Sequence, residues 1–127
     1  MTDRLQVEQL LRELHASRLD GDLERLCRLF APDAHLRIAG SSDGKPIAIS
    51  ASGITQIRPW LSMLVKSFRM KDYELLSLAV DGSRAAAHWR VNIDSKITGI
   101  SVPTELVDLL DVGAGKIASL IEFFVPI

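Results

Sequence analysis

The segment Ala85-Ala-Ala-His-Trp-Arg-Val-Asn-Ile-Asp94 alternates polar and apolar side chains from its fourth residue onward. Successive side chains of a β-strand point to opposite faces, so this period predicts a strand with one polar and one apolar face. The polar face carries His88, Arg90, Asn92 and Asp94, and the apolar face carries Trp89, Val91 and Ile93. The polar face either meets solvent or lines a wet cavity, and the alternation alone leaves both readings open.

The residues on either side of this segment are also strand-like and are separated by glycine-containing turns. The pattern predicts four strands, at Tyr73–Val80, Arg84–Ile97, Thr104–Val112 and Lys116–Val125. Asp81-Gly-Ser83 and Val112-Gly-Ala-Gly-Lys116 are typical of tight turns between antiparallel neighbours. The second turn has only a superficial likeness to a phosphate-binding loop, because it lies between two strands and lacks the required spacing.

The N-terminal half is predominantly helical in its pattern. Apolar residues three and four apart predict a first helix, with Val7, Leu10, Leu11 and Leu14 on its stripe, and a second helix that includes Phe30 and ends at Pro32. Two short strands are predicted around Ala34–Ile38 and Ile47–Ser50, followed by a third helix. Within that third helix Pro59 either lies in the first turn or kinks the helix. Helices followed by strands predict an α+β fold with a mostly antiparallel sheet.

Length and composition set the outer limits. The 127 residues, 47% hydrophobic and 24% charged, predict a single globular domain over residues 1–127. A net charge of -1 provides no basic field for nucleic acid or a membrane surface. The charged N-terminal residues do not form a signal sequence, which predicts a cytoplasmic protein with Cys27 as a reduced core residue. With one cysteine and three separated histidines, no metal site and no cofactor are predicted.

Glu122 is the second residue with a chemical interpretation. It lies in the otherwise apolar final strand and shares a face with Leu120 and Phe124. The carboxylate lies either at an exposed edge or in a partly dry environment. In the dry case desolvation raises its pKa, which is how carboxyl groups become general acids near neutral pH.

These features together resemble the nuclear transport factor 2-like superfamily, whose relatives include ketosteroid isomerases and SnoaL-like polyketide cyclases. The similarity rests on the two N-terminal helices around Gly21-Asp-Leu23, the segment Leu29-Phe-Ala-Pro-Asp-Ala34, the Gly113-Ala-Gly-Lys116 turn and the closing Ile121-Glu-Phe-Phe124. It covers nearly the whole chain. It implies a curved sheet that forms a cone closed by the three helices, with a small-molecule pocket on one face and a homodimer contact on the other. Members of one fold perform many functions, so the resemblance is weaker evidence for activity than for fold.

The resemblance does not extend to the isomerase chemistry. The oxyanion-donating tyrosine of those enzymes falls on Leu14, their general-base aspartate on Ile38 and their protonated aspartate on Val107. None of these three side chains can exchange a proton. Steroid isomerisation by that mechanism is therefore not expected.

The same register directs one set of side chains into the cone. His88 and Glu122 are the candidate acid–base pair there, and Arg90 and Asn92 are expected to orient an oxygen-rich ligand. The other expected ligand contacts are apolar: Leu14, Ile38, Trp60, Val107, Leu109, Leu120 and Phe124. His15 is expected to be exposed, and His35 and Arg37 are expected outside the pocket.

Two functions fit this pattern. One is an isomerase, cyclase or hydrolase that acts by acid–base chemistry on a small molecule of unknown identity. The other is a non-catalytic module for ligand binding or dimerisation. In both cases an apolar outer sheet face predicts a homodimer, because monomers rarely expose large apolar patches. The expected patch consists of Trp89, Val91, Ile93, Ile121, Phe123 and Val125.

Overall fold

A computed structural model describes residues 3–127 and contains three helices, α1 (Arg4–Asp20), α2 (Leu23–Cys27) and α3 (Ile54–Ser67). The Asp3 carboxylate accepts from the backbone N–H of Gln6, and the Asp22 carboxylate accepts from that of Arg25, so both aspartates cap helix starts. Among the described residues, no helix is both long and apolar enough to cross a membrane.

The second helix differs from the prediction, and the third follows one of its two predicted alternatives. The second helix ends at Cys27, and Phe30 already pairs with Ile117 of the last strand, so the expected extension to Pro32 is wrong. The third helix begins at Ile54 rather than near Arg58, which places Pro59 in its interior.

The six strands form one sheet in the order β2-β1-β6-β5-β4-β3. Their bounds are β1 (Phe30–Ser42), β2 (Lys45–Ser52), β3 (Phe68–Asp81), β4 (Arg84–Ser95), β5 (Ser101–Gly113) and β6 (Lys116–Pro126). All neighbours are antiparallel except β1 and β6, which run parallel. The α+β fold with a curved, mostly antiparallel sheet closed by three helices is therefore confirmed.

The core lies between the helices and the inner face of the sheet. From α1 it receives Val7, Leu11 and Leu14, and from the sheet it receives mainly Leu36, Trp89, Val91, Leu106, Leu110 and Leu120. Along β4 and β5 every second residue is buried, so the inner set is Ala85, Ala87, Trp89 and Val91 on β4 and Thr104, Leu106, Asp108, Leu110 and Val112 on β5.

A β-bulge in β6 determines which residues face inward. Val112 pairs with Ile117, but the next pair is Asp111 with Ser119, so Ala118 is the extra residue. The hairpin without this bulge would place Val107 opposite Glu122. The observed ladder places Asp108 there instead.

Candidate functional site

A cavity of about 460 Å³ opens at the edge of the sheet where β1, β4 and β6 end and β3 and β5 begin. Its lining is mainly apolar and includes Ile38, Ile49, Met63, Met70, Ile93 and Phe124. Among residues 3–127, the ionisable groups in its wall are Arg18, Glu122 and, in the turn after β1, Asp43. Apolar walls with a few convergent polar groups are the usual character of a small-molecule site, and the volume is in the range of such sites.

Glu122 is held in this wall by an arginine from the helix layer. The Arg18 Nη1 donates to Glu122 Oε2 at 2.5 Å, and the two side chains are only 9% and 3% exposed. Arg18 is placed there by the last turn of α1, which ends at Gly21 with a positive φ of 65°. An additional contact positions the guanidinium, which lies 5.7 Å from the ring centre of Trp89.

Asp108 lies directly opposite Glu122 on β5 and is completely buried. Its Oδ2 accepts two hydrogen bonds, from Trp89 Nε1 at 2.9 Å and from His15 Nε2 at 2.7 Å. Its Oδ1 has no donor among the described residues, and Glu122 is the residue directly across the ladder from it. Two facing carboxyl groups satisfy each other when they share one proton, and Oδ1 is the acceptor left for it.

His15 joins this pair to a fourth polar group. Its Nδ1 lies 2.6 Å from the Tyr73 hydroxyl, and its ring lies 4.3 Å from that of Trp89. Burial, reinforced by the positive charge of Arg18, lowers the pKa of His15 to about 4, so the imidazole is neutral at pH 7. The hydrogen-bond network assigns its proton to Nε2, facing Asp108, so that Nδ1 accepts from the Tyr73 O–H.

The two carboxyl groups hold protons more tightly than ordinary acids. Burial and the neighbouring Asp108 raise the pKa of Glu122 to about 8, against the opposing effect of Arg18. Burial also raises the pKa of Asp108, while the hydrogen bonds from Glu122 and Trp89 and the charge of Arg18 oppose the rise. Two facing buried carboxyl groups are not both ionised, so one proton between Glu122 and Asp108, together with the charged Arg18, leaves the cluster without net charge and limits the cost of burying it. With its pKa near 8, Glu122 holds that proton at neutral pH.

Two of the expected cavity contacts line this cavity, and so does Glu122. Ile38 on β1 and Phe124 on β6 belong to its wall. Leu14 and Leu120 point inward but are buried in the core rather than in the cavity wall. Trp60 lies on α3 with 39% of its surface exposed and is also outside that wall.

The expected inward placement of His88, Arg90 and Asn92 is wrong. These side chains lie on the outer face, where His88 contacts Glu105 at 3.1 Å, Arg90 contacts Glu74 at 2.8 Å and Asn92 donates to Asp72 at 2.7 Å. Val107 and Leu109 are on the outer face as well. The common cause is the bulge at Ala118, which shifts the pairing of β5 with β6 by one residue. Because β4 pairs with β5 without a further shift, the inner and outer faces of both strands are exchanged relative to the prediction.

Sequence reasoning missed four polar residues of the site, which are Arg18, Tyr73, His15 and Asp108. His15 was expected to be exposed and is 2% exposed. It follows the buried Leu11 by four residues on α1, which is the spacing of one helix face. Asp108 alternates with Leu106 and Leu110, and that period of two was a signal for a buried carboxylate. Across residues 3–127 no three histidine, cysteine or carboxylate side chains are arranged as a metal site.

With this geometry established, the comparisons place the chain among known proteins. Residues 7–120 match the model of the SnoaL-like domain, and the chain belongs to that family, within the nuclear transport factor 2-like superfamily. No curated protein sequence matches the chain significantly.

Solved structures with the same fold have low sequence identity to it. A proposed isomerase from Bacillus subtilis is 16% identical, with a TM-score of 0.82, over 98% of this chain and 89% of that one. A nuclear transport factor 2-like protein from Burkholderia xenovorans is 17% identical, with a TM-score of 0.78, over 98% and 92%. An epoxide hydrolase from M. tuberculosis, similar to limonene epoxide hydrolase, is 10% identical, with a TM-score of 0.73, over 94% and 83%. At these identities the likeness concerns the fold.

Proposed function

We propose that this SnoaL-like domain binds a small, mainly apolar molecule and transfers a proton to its oxygen atom, with Glu122 as the general acid. The observation that carries the proposal is geometric: the buried Glu122 carboxyl group lies in the wall of a mainly apolar cavity, directly opposite a second buried carboxyl group, that of Asp108. A general acid works best when its pKa lies near the working pH, and burial brings Glu122 into that range.

The ligand that fits this wall is uncharged. Arg18 is already balanced by Asp108 within the buried cluster, so a ligand carboxylate or ammonium group would enter the site without a counter-charge. A ketone or cyclic ether oxygen can accept the Glu122 proton at no such cost. The apolar lining accommodates the hydrocarbon part of the same molecule.

The chemistry that follows is proton transfer with Glu122 in both directions. The Glu122 O–H turns from Asp108 to the ligand oxygen and donates its proton to it, which leaves a Glu122 carboxylate paired with Arg18. The carboxylate then recovers a proton, either from the carbon next to a carbonyl or from a water molecule that adds to an opened ring. The first course is an isomerisation or enolisation, and the second is a hydrolysis.

The test uses two probes of these reactions, hydrogen–deuterium exchange of cyclohexanone and hydrolysis of cyclohexene oxide. Glu122→Gln keeps the shape but has no acidic proton, and we expect any turnover of either probe to fall by about 10²–10⁴ fold. Glu105→Gln is the matched control, because Glu105 lies on the outer face beside His88. Equal rates for the Glu122 variant, the Glu105 variant and the unaltered protein would contradict the general-acid role.

A second candidate function is ligand binding without catalysis. It is favoured by one observation, that Arg18, Glu122, Asp108, His15 and Tyr73 already satisfy most of each other's polar groups. Calorimetric titration with 4-tert-butylcyclohexanone, together with the probe reactions, separates the two functions. The charged analogues 4-tert-butylcyclohexylamine and 4-tert-butylcyclohexanecarboxylate are the controls for ligand charge. A pure binding module takes up the ketone equally well with Glu122→Gln and turns over neither reaction probe.

We also propose a homodimer through the outer sheet face. Leu109, Phe123 and Val125 are 41%, 41% and 51% exposed on neighbouring strands β5 and β6. The expected contribution of Trp89, Val91 and Ile93 is wrong, because all three face the interior. We expect Phe123→Asp to convert a dimer to a monomer in sedimentation, whereas Leu76→Asp, on the edge strand β3, leaves it intact. A monomeric unaltered protein at micromolar concentration would refute this interface.

A further inference from the structure

The Asp108–Glu122 pair has one proton for two carboxyl groups, and the donors around each group determine which group keeps it. Glu122 Oε2 receives a charged donor, Arg18. Asp108 Oδ2 receives two neutral donors, Trp89 and His15. A carboxylate that accepts hydrogen bonds is stabilised in its ionised form, so each set of donors favours ionisation of its own partner.

The two donors of Asp108 differ in how they are fixed. Trp89 is completely buried and its indole N–H has no other role. His15 can donate to Asp108 only while its proton is on Nε2, and the Tyr73 hydroxyl on Nδ1 favours that tautomer. The charged groups facing His15 are Arg12 and Arg18 from α1, Asp108 from β5 and Glu122 from β6.

We propose that His15, oriented by Tyr73, is a positioning residue that keeps the negative charge on Asp108 and thereby leaves the shared proton on Glu122, the group that lines the cavity. This inference rests on the proposed role of Glu122. His15 does not line the cavity, so it acts on the ligand only through Asp108. The Tyr73 hydroxyl contacts Nδ1 of His15 and thereby favours the tautomer with the proton on Nε2.

Removal of the His15 donor moves the shared proton from Glu122 to Asp108. Asp108 then keeps only the Trp89 N–H, so its carboxylate binds a proton more tightly. Glu122 keeps Arg18 and becomes an ordinary buried ion pair with it. The cavity loses its acid although Glu122, Arg18 and the cavity lining are all unchanged.

The experiment follows the side-chain carboxyl carbons of Asp108 and Glu122 by ¹³C NMR across a pH titration of the intact chain. In His15→Leu we expect the Glu122 midpoint to fall by about one pH unit or more, a tenfold change in its proton affinity, while the Asp108 midpoint rises. In His15→Gln the amide N–H can still donate to Asp108 and its carbonyl can accept from Tyr73, so both midpoints remain near those of the unaltered protein. A structural disturbance alone would not move two neighbouring groups in opposite directions.

Two midpoints that stay in place in His15→Leu, or that move together, would refute the positioning role. If His15→Leu does not fold, Tyr73→Phe provides the same test, because it frees Nδ1 while leaving His15 in the helix. A smaller shift in the same opposite directions supports the proposal, and unchanged midpoints in Tyr73→Phe refute it. Opposite shifts combined with unchanged probe turnover in Glu122→Gln would leave the positioning role intact and refute the proposed function instead.

Discussion

The inner and outer faces of the sheet each carry an arginine–glutamate pair, and the two pairs behave differently. Arg18 and Glu122 are joined at 2.5 Å and are 9% and 3% exposed, whereas Arg90 and Glu74 are joined at 2.8 Å and are both 49% exposed. Residue types and contact distances are similar. The difference lies in water, which solvates the outer pair and is excluded from the inner one.

This difference explains the unusual acid–base properties of the inner pair. Exposed charges such as those of the outer pair are screened by water and interact weakly. In the dry interior the desolvation cost of ionising Glu122 exceeds the stabilisation that the charge of Arg18 provides, so the pKa of Glu122 rises. A glutamate thus becomes a candidate acid because of its location on the sheet.

Removal of the arginine from each pair is the strongest way to break the comparison. Arg18→Met leaves Asp108 as a buried charge without a counter-ion, and we expect the free energy of unfolding to fall by about 3–5 kcal/mol. Arg90→Met removes only a solvated partner, and we expect a loss below about 1 kcal/mol. Urea denaturation of both variants measures the two values. Equal losses would show that the two faces do not differ as described.

The pH dependence of stability gives the next largest effect. The pKa of Glu122 is about 8 when folded against 4.5 as an ordinary side chain, so its stabilising effect is complete below pH 4.5 and is lost as pH rises to 8. His15 has the opposite sign, because its folded pKa of about 4 is below 6.5 and its effect is lost as pH falls from 6.5 to 4. The two slopes oppose each other between pH 4.5 and 6.5. Above pH 6.5 the loss from Glu122 is no longer opposed by His15.

We therefore expect the free energy of unfolding to fall by about 2 kcal/mol between pH 6.5 and 8, since one pKa unit corresponds to about 1.4 kcal/mol. Denaturant titrations at fixed pH values measure this loss. Glu122→Gln should abolish the slope, because glutamine does not titrate, and Glu105→Gln should leave it unchanged. A slope that persists in the Glu122 variant would assign it to another group.

The sequence was sufficient for the architecture. The helix period in the first third, the strand period after Phe68 and the glycine turns at Gly82 and Gly113–Gly115 predicted the order of elements, and the structure has that order. The inward direction of Glu122 came from the family resemblance, because the alternation along β6 left an exposed edge and a dry environment both open. Local periodicity suffices for the order of elements because each element depends on residues close in the chain.

The partners of Glu122 could not be predicted in the same way. The register between β5 and β6 depends on a bulge at Ala118, and nothing in the composition of that segment marks where the extra residue lies. A shift of one residue exchanges the two faces of a strand, which is why His88 was expected inside and Asp108 was not recognised. His15 comes from α1, 93 residues before Asp108, and only the packing of that helix on the sheet brings them together.

The smallest expected effect comes from the outer histidine, which is the matched counterpart of His15. His88 and Glu105 are 42% and 39% exposed in their side chains, and His88→Gln should change the free energy of unfolding by less than about 1 kcal/mol, because water replaces the lost contact. His15→Leu removes a donor from a buried carboxylate and should cost about 1–3 kcal/mol in the same urea titration. A larger loss for His15→Leu than for His88→Gln is expected because water is excluded from the inner face. Equal losses would show that both histidines have similar surroundings.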